Sequence, residues 1–131
     1  MDRLILDTGV LVAAVRGRVT VPDDADIAIP AVVIAEYLAG VHLDPDAGRQ
    51  AAQMAFLNDI LAVIPVHDYD RTVAEHHAQL LAYTARGGRR RGPHDLIIAA
   101  TARASGRTIL TTDTRARFDE LPDVSARLTT G

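Results

Sequence analysis

The stretch "RLILDTGVLVAAV", residues 3–15, decides how the whole chain is read. An apolar run that begins at Leu4 is broken by one carboxylate, Asp7, and then resumes. Residues 4–6 read as a short buried strand, and the apolar residues after Asp7 as a helix reaching about Val15. The tripeptide "DTG" is also how retroviral-type aspartic proteases present a catalytic carboxylate. Asp7 is therefore a protease carboxylate, a helix cap, or one member of a larger acidic site.

The rest of the chain repeats the strand-then-helix pattern. After the polar connection at 16–26, residues 27–29 form a second apolar run stopped by Pro30, which suits a helix's first turn. "AVVIAEYLAG" (31–40) then reads as a helix ending near Gly40. "DPDAGRQAAQMAFLNDIL" (44–61) opens with a cap-and-proline signal, and Ala52, Phe56, Leu57 and Ile60 recur at helical spacing. "AVIPV" (62–66) is a third strand. Asp68 or Asp70 caps a long helix whose apolar positions Val73, Leu80, Leu81 and Tyr83 lead to a stop at Gly87 and Gly88. "HDLIIAATARASG" (94–106) is a further helix, "TILTT" (108–112) a fourth strand, "DTRARFDEL" (113–121) a short helix and "VSARL" (124–128) a last edge strand.

Short apolar strands alternating with helices predict an α/β domain with a parallel sheet covered on both faces. Nothing alternates with period two, and the chain holds one DTG rather than two, so the aspartic protease reading fails. At 131 residues, a single domain over 1–131 is expected. Apolar residues make up 48% and charged residues 24%, the composition of an ordinary globular protein. No apolar run nears the roughly 20 residues of a membrane span, and no leader precedes the first strand, so a cytoplasmic location without membrane association is expected. With no cysteine there is no disulfide and no thiolate metal site. A net charge of −3 argues against broad coating of nucleic acid but not against a nuclease, whose metal site must itself be acidic.

In an open parallel sheet, ligands bind beyond the carboxyl ends of the strands. Asp7 and Asp113 each follow a strand directly and would share a crevice if those strands are neighbours. Glu36 stands mid-helix among Val33, Ile34, Tyr37 and Leu38, and Asp95 leads "LIIAATA" with Ile98 and Ala99 on its own side. A carboxylate in apolar surroundings is costly without a partner, and a divalent cation removes that cost for several at once. Asp7, Asp95 and Asp113 also precede predicted helices, where aspartate is a favoured cap. Glu36 cannot be a cap. The four together carry the inference that no one of them carries alone.

"LILDTGVLVAA", "IPAVVIAEYLAG", "GPHDLIIAATA" and "TILTTDTRARF" resemble, in order and spacing, the four acidic motifs of the PIN-domain ribonucleases, and within them the VapC-type toxins of bacterial toxin–antitoxin pairs. The resemblance runs from Arg3 to about Leu128. It implies a three-layer domain with a five-stranded parallel sheet, and an acidic catalytic quartet of Asp7, Glu36, Asp95 and Asp113. Thr8 and Thr111 occupy auxiliary positions. It also implies an Mg2+-dependent endoribonuclease toxin neutralised by a cognate VapB-type antitoxin, in a homodimer within a heterotetramer or larger assembly. Many relatives carry a further aspartate in a "DxDF"-like run after the fourth motif. Here Arg115 and Arg117 stand there, which favours one tightly held ion.

Hard oxygen donors suit Mg2+, with Mn2+ as a substitute. Asp7 and Asp95 would contact the ion most directly, with Glu36 and Asp113 acting through water or at a second ion. "RGGRRRG" gives the loop arginines Arg86, Arg89, Arg90 and Arg91 two readings, a phosphate-gripping wall of the RNA groove or a solvated surface loop. His76 and His77 are adjacent and face different ways, His42 and His67 fall in expected loops, and His94 reads as a surface residue. An aspartyl phosphatase would need an acid two residues after Asp7, where Gly9 stands, and a receiver-type signalling module would need a late lysine in a chain that has none. A non-catalytic domain that binds Mg2+ or a protein partner is the alternative.

Overall fold

The computed structural model describes residues 1–87 and 89–129. β1 (Arg3–Leu6) is its centre: Leu4, Ile5 and Leu6 are at most 1% exposed. Consecutive strand side chains point to opposite faces, so both faces of β1 are covered, as a parallel sheet requires. The chain continues through α1 (Thr8–Val15), β2 (Asp26–Pro30), α2 (Ala31–Leu43), α3 (Ala47–Leu61), β3 (Val66–His67), α4 (Arg71–Gly87), α5 (Pro93–Ser105), β4 (Thr108–Thr111) and β5 (Ala126–Leu128). The five strands form one parallel sheet in the order β3-β2-β1-β4-β5. This is the expected α/β architecture. Among the described residues, no helix is long and apolar enough to cross a membrane.

The strand order reverses at β1, because β2 pairs on one side of it and β4 on the other. Such a switch point opens a crevice at the carboxyl ends of the two strands. Leu6 registers with Leu110, and the Asp7 amide continues the ladder by donating to the Leu110 carbonyl at 3.2 Å. The end of β1 is thereby fixed against the end of β4.

Several local expectations are corrected. α2 does not stop at Gly40 but runs to Leu43, which takes His42 into its last turn. Pro45 supplies the stop, since a proline drives the preceding residue out of the helical region, and Asp44 sits at φ −70 and ψ 122. Pro30 ends β2 and caps α2 rather than lying within its first turn. The third strand is only Val66–His67, because the amides of Val63 and Ile64 still bond back to the Ile60 carbonyl. Of the α3 positions expected inside, Leu57 is buried, whereas Phe56 is 51% exposed. On α4, Val73 and Leu80 are buried, but Leu81 and Tyr83 are exposed. The Asp70 carboxylate caps α4 by accepting from the Val73 amide at 2.9 Å, and Gly87 ends it; Gly88 lies outside the described residues. Residues 113–117 are an irregular turn, with helical winding only at the 3-10 segment Phe118–Glu120.

Candidate active site

Asp7 does two things at once. Its Oδ1 caps α1 by accepting from the Val10 amide at 3.0 Å, and its Oδ2 accepts a short hydrogen bond from the Thr111 hydroxyl. Thr111 in turn accepts from the Asp113 amide at 2.9 Å, so one buried hydroxyl ties the first acid to the loop bearing the last. Gly9 lets the two loops approach: a Cβ there would lie 2.7 Å from the Thr112 Oγ1.

Glu36 comes from the neighbouring helix. Its Oε1 accepts from the Thr8 hydroxyl at 2.8 Å, and its Oε2 lies 3.3 Å from the His94 Nδ1. His94, read from sequence as a surface residue, is indeed exposed but is turned onto this carboxylate. Its place beside Asp95 was the available signal. Asp95 lies in the first turn of α5 but does not cap it, because the N-cap is Gly92. Asp113 caps no α-helix either; its Oδ1 accepts from the Arg115 amide at 2.8 Å within the turn. The cap reading therefore holds for Asp7 and fails for Asp95 and Asp113.

The charges of Glu36 and Asp113 reach both Asp7 and Asp95. Burial raises the Asp7 carboxyl above its ordinary pKa of 3.8, and the charges of Asp113 and Glu36 push the same way against the hydrogen bonds from Thr111 and Val10. Asp95 is also raised, by burial first and then by the charges of Asp113, Glu36 and Asp7, with His94 opposing. Among the described residues, no arginine lies within ion-pair distance of any of the four; His94 on Glu36 is the one basic contact. Among the described residues, no three acidic or histidine side chains are grouped so as to hold a metal ion as they stand. Glu36 is turned to Thr8 and His94, and Asp7 to Thr111 and Val10. Hard carboxylate oxygens of this kind suit a divalent cation, which would offset the repulsion that Glu36 and Asp113 exert on Asp7 and Asp95.

The loop arginines are less free than expected. Arg91 is nearly buried, and its guanidinium donates to the carbonyls of Ala116 and Arg117 at 2.8 and 3.0 Å, so it acts as a strut rather than a free phosphate grip. Arg89 bonds Glu120 at 2.8 Å, Arg90 is exposed, and Arg86 sits in the last turn of α4. Arg115 and Arg117, noted in the sequence only as a departure from the acidic pattern, lie across from them.

Comparison with known proteins gives the family of the chain. The family profile described as "PIN domain" matches residues 4–124. The Shigella flexneri protein named tRNA(fMet)-specific endonuclease VapC is 32% identical over 122 residues, spanning 88% of this chain and 89% of that protein. Ribonuclease VapC of Rickettsia bellii (strain RML369-C) is 27% identical over 124 residues, 92% of each chain. Among solved structures, VapBC2 from Rickettsia felis bound to a DNA fragment from their promoter superposes with a TM-score of 0.84 at 22% identity, covering 98% of this chain and 99% of that one. VapBC-5 from Mycobacterium tuberculosis does so with a TM-score of 0.78 at 26% identity, covering 98% and 100%. A switch-point crevice ringed by acids and a family match over nearly the whole chain lead to one assignment: the chain belongs to the PIN-domain family, among the VapC ribonuclease toxins of VapBC toxin–antitoxin systems.

Proposed function

We propose that this protein is an Mg2+-dependent endoribonuclease that hydrolyses RNA phosphodiester bonds in the crevice between the ends of β1 and β4. One observation carries the reading: burial and the nearby charges of Glu36 and Asp113 raise the carboxyls of Asp7 and Asp95, and none of the four acids has an arginine partner among the described residues. Asp7, Glu36, Asp95 and Asp113 are the catalytic set. Asp7 and Asp95 would hold the ion most directly, Glu36 and Asp113 would complete its surroundings, and Mn2+ would substitute. Bound there, such an ion would supply a more acidic water and offset the charge that gathers on phosphorus. The protein's part is to hold these oxygens still. Thr111 fixes Asp7 relative to the Asp113 loop, and Thr8 and His94 hold the two oxygens of Glu36 from opposite sides.

Asp7→Asn keeps the helix cap and removes the charge. Its cleavage rate is expected to fall by about 100-fold or more, and EDTA should abolish wild-type cleavage until Mg2+ is returned. An Asp7→Asn protein that cuts as fast as wild type, with wild-type cutting indifferent to EDTA, would overturn the reading. The Shigella flexneri relative is named for tRNA(fMet), which makes that tRNA the first substrate to assay.

The partner is a cognate VapB-type antitoxin. A groove of about 600 Å3 between α1, α2 and α3 is lined by Val12, Val15, Tyr37, Val41 and Phe56, and Glu36 also stands in its wall. An apolar antitoxin segment laid there would bring a basic side chain onto the acids and compete with the ion. The assembly is a homodimer carrying antitoxin, a heterotetramer or larger.

A further inference from the structure

Two arginine clusters far apart in sequence face each other beside the acidic crevice. Arg89, Arg90 and Arg91 precede α5, Arg115 and Arg117 follow β4, and with Asp95 they wall a pocket of about 280 Å3. Gly92, the N-cap of α5, completes the wall and offers no side chain to the first amides of the helix. The positive end of the helix dipole therefore opens on the pocket and favours an anion there. A Cβ on Gly92 would lie 3.0 Å from the Asp95 Oδ2, so a larger residue there would crowd that carboxylate.

The charges around this pocket do not balance. One carboxylate, Glu120, is shared by Arg89 at 2.8 Å, Arg91 at 3.4 Å and Arg117 at 3.8 Å. Among the described residues, Arg90 and Arg115 have no carboxylate within ion-pair distance. Arg91 is the strut: by holding the carbonyls of Ala116 and Arg117 it keeps one cluster opposite the other. Guanidinium groups facing one another across a pocket match an anion with several acceptor oxygens, which phosphate provides. Asp95 belongs both to this wall and to the acidic set, so a phosphate held here sits next to the one being cut.

A second pocket of about 440 Å3 adjoins the first through Arg89 and Arg91 and adds Tyr83 and Arg86. Tyr83 is 43% exposed although Leu80, one turn earlier on α4, is fully buried. A half-exposed ring beside a basic pocket is the usual platform for an unpaired base. We propose that the arginine pocket holds the RNA phosphate next to the scissile one, and that the strand then passes into the neighbouring pocket, where a base stacks on Tyr83.

This subsite rests on the ribonuclease reading, and the test separates the two. The probe is a single-stranded RNA oligonucleotide spanning a mapped cleavage position, used intact and with one neutral methylphosphonate linkage placed in turn on either side of the cut. At one adjacent position the neutral linkage should raise the wild-type KM about tenfold and leave that of Arg90→Ala/Arg115→Ala unmoved, because the charge contact is already gone. Equal further losses in both proteins would overturn the assignment. Both arginines are exposed and make no side-chain hydrogen bond to described residues, so the double variant should fold, as its melting curve will show.

Anisotropy in EDTA reads binding without cleavage. The slope of log Kd against log salt should fall by about 0.7 per arginine removed, and not at all in Arg71→Ala, whose guanidinium pairs with Glu75 at the far end of α4. An unchanged slope in the double variant overturns the phosphate pocket, as does full RNA affinity coupled with lost antitoxin binding. Tyr83→Leu should raise KM about tenfold and Tyr83→Phe should not, whereas no change in Tyr83→Leu overturns the base platform. A wild type that cuts no RNA yet shows the arginine-dependent slope sinks the ribonuclease reading and leaves the anion pocket standing.

Discussion

Asp7 is where function works against stability. Its carboxyl is raised by burial and by its acidic neighbours, so the native state binds that proton more tightly than the unfolded chain does. The sign follows from this. The stabilisation is fully present below the ordinary pKa of 3.8 and is lost as pH rises through the folded value, so at neutral pH the metal-free fold carries the cost of an ionised Asp7. Asp7→Asn should therefore melt a few degrees higher than wild type in EDTA at pH 7, with the gap closing in acid below the usual carboxylate range. Mg2+ should close it from the other side, because the ion stabilises only the charged site by mass action. Calorimetry in EDTA across pH checks this, and a lower melting temperature for Asp7→Asn at neutral pH would show that its hydrogen bonds outweigh its desolvation. Sequence exposed this residue readily: one charge inside an apolar strand-to-helix run has few explanations. The bond from Thr111 that fixes its Oδ2 joins residues 104 apart and was foreshadowed only by family position.

At the scale of elements, the sheet is held at its two ends by different chemistry. The carboxyl ends carry the acids; at the amino ends Arg107, just before β4, donates to the carbonyls of Leu4 and Asp26 at 3.2 and 2.8 Å and to the Asp26 Oδ1 at 3.0 Å. One guanidinium thus clamps β1, β2 and β4 opposite the crevice. Arg107→Ala should cost about 2 kcal/mol, and Arg107→Lys should recover part of it, since all three bonds come from the single nitrogen Nη1 and a lysine ammonium on its shorter stem can restore some of them. Urea unfolding measures the loss, while cleavage per folded molecule stays at the wild-type level because the clamp lies a strand's length from the acids. Strand-and-helix order was legible because each element has a local cause: an apolar run, an Asp70 cap, a Gly106 stop with φ 65. Boundaries set by competing signals were not. Gly40 outside the core is tolerated within α2, and the next proline ends it instead. Tyr83 matched the apolar spacing of α4, but the elements covering Leu80 do not extend to it. The opposed arginines could be seen only once α5 and the turn after β4 were folded against each other.

For the whole molecule, the distribution of charge matters more than the net −3. The four acids lie by the switch point, the arginines flank Asp95 on the side of α5, and the groove of α1, α2 and α3, lined by apolar residues and by Arg16, Asp44 and Arg49, flanks Glu36 on the other. A strand of RNA and a neutralising peptide can therefore approach the same carboxylates from different sides, with Glu36 reached from the groove and Asp95 from the arginines. On the proposed reading, inhibition and substrate grip depend on separate residues. Phe56→Glu puts a charge into the groove at a ring that is half exposed, so it leaves the core intact and should weaken capture by the cognate antitoxin about tenfold or more. Its RNA cleavage should match wild type, because Phe56 lies on α3, which carries none of the four acids. Titration of antitoxin against cleavage gives both numbers in one series. Equal inhibition of Phe56→Glu and wild type would place the antitoxin elsewhere, and with it the route by which a basic side chain reaches Glu36.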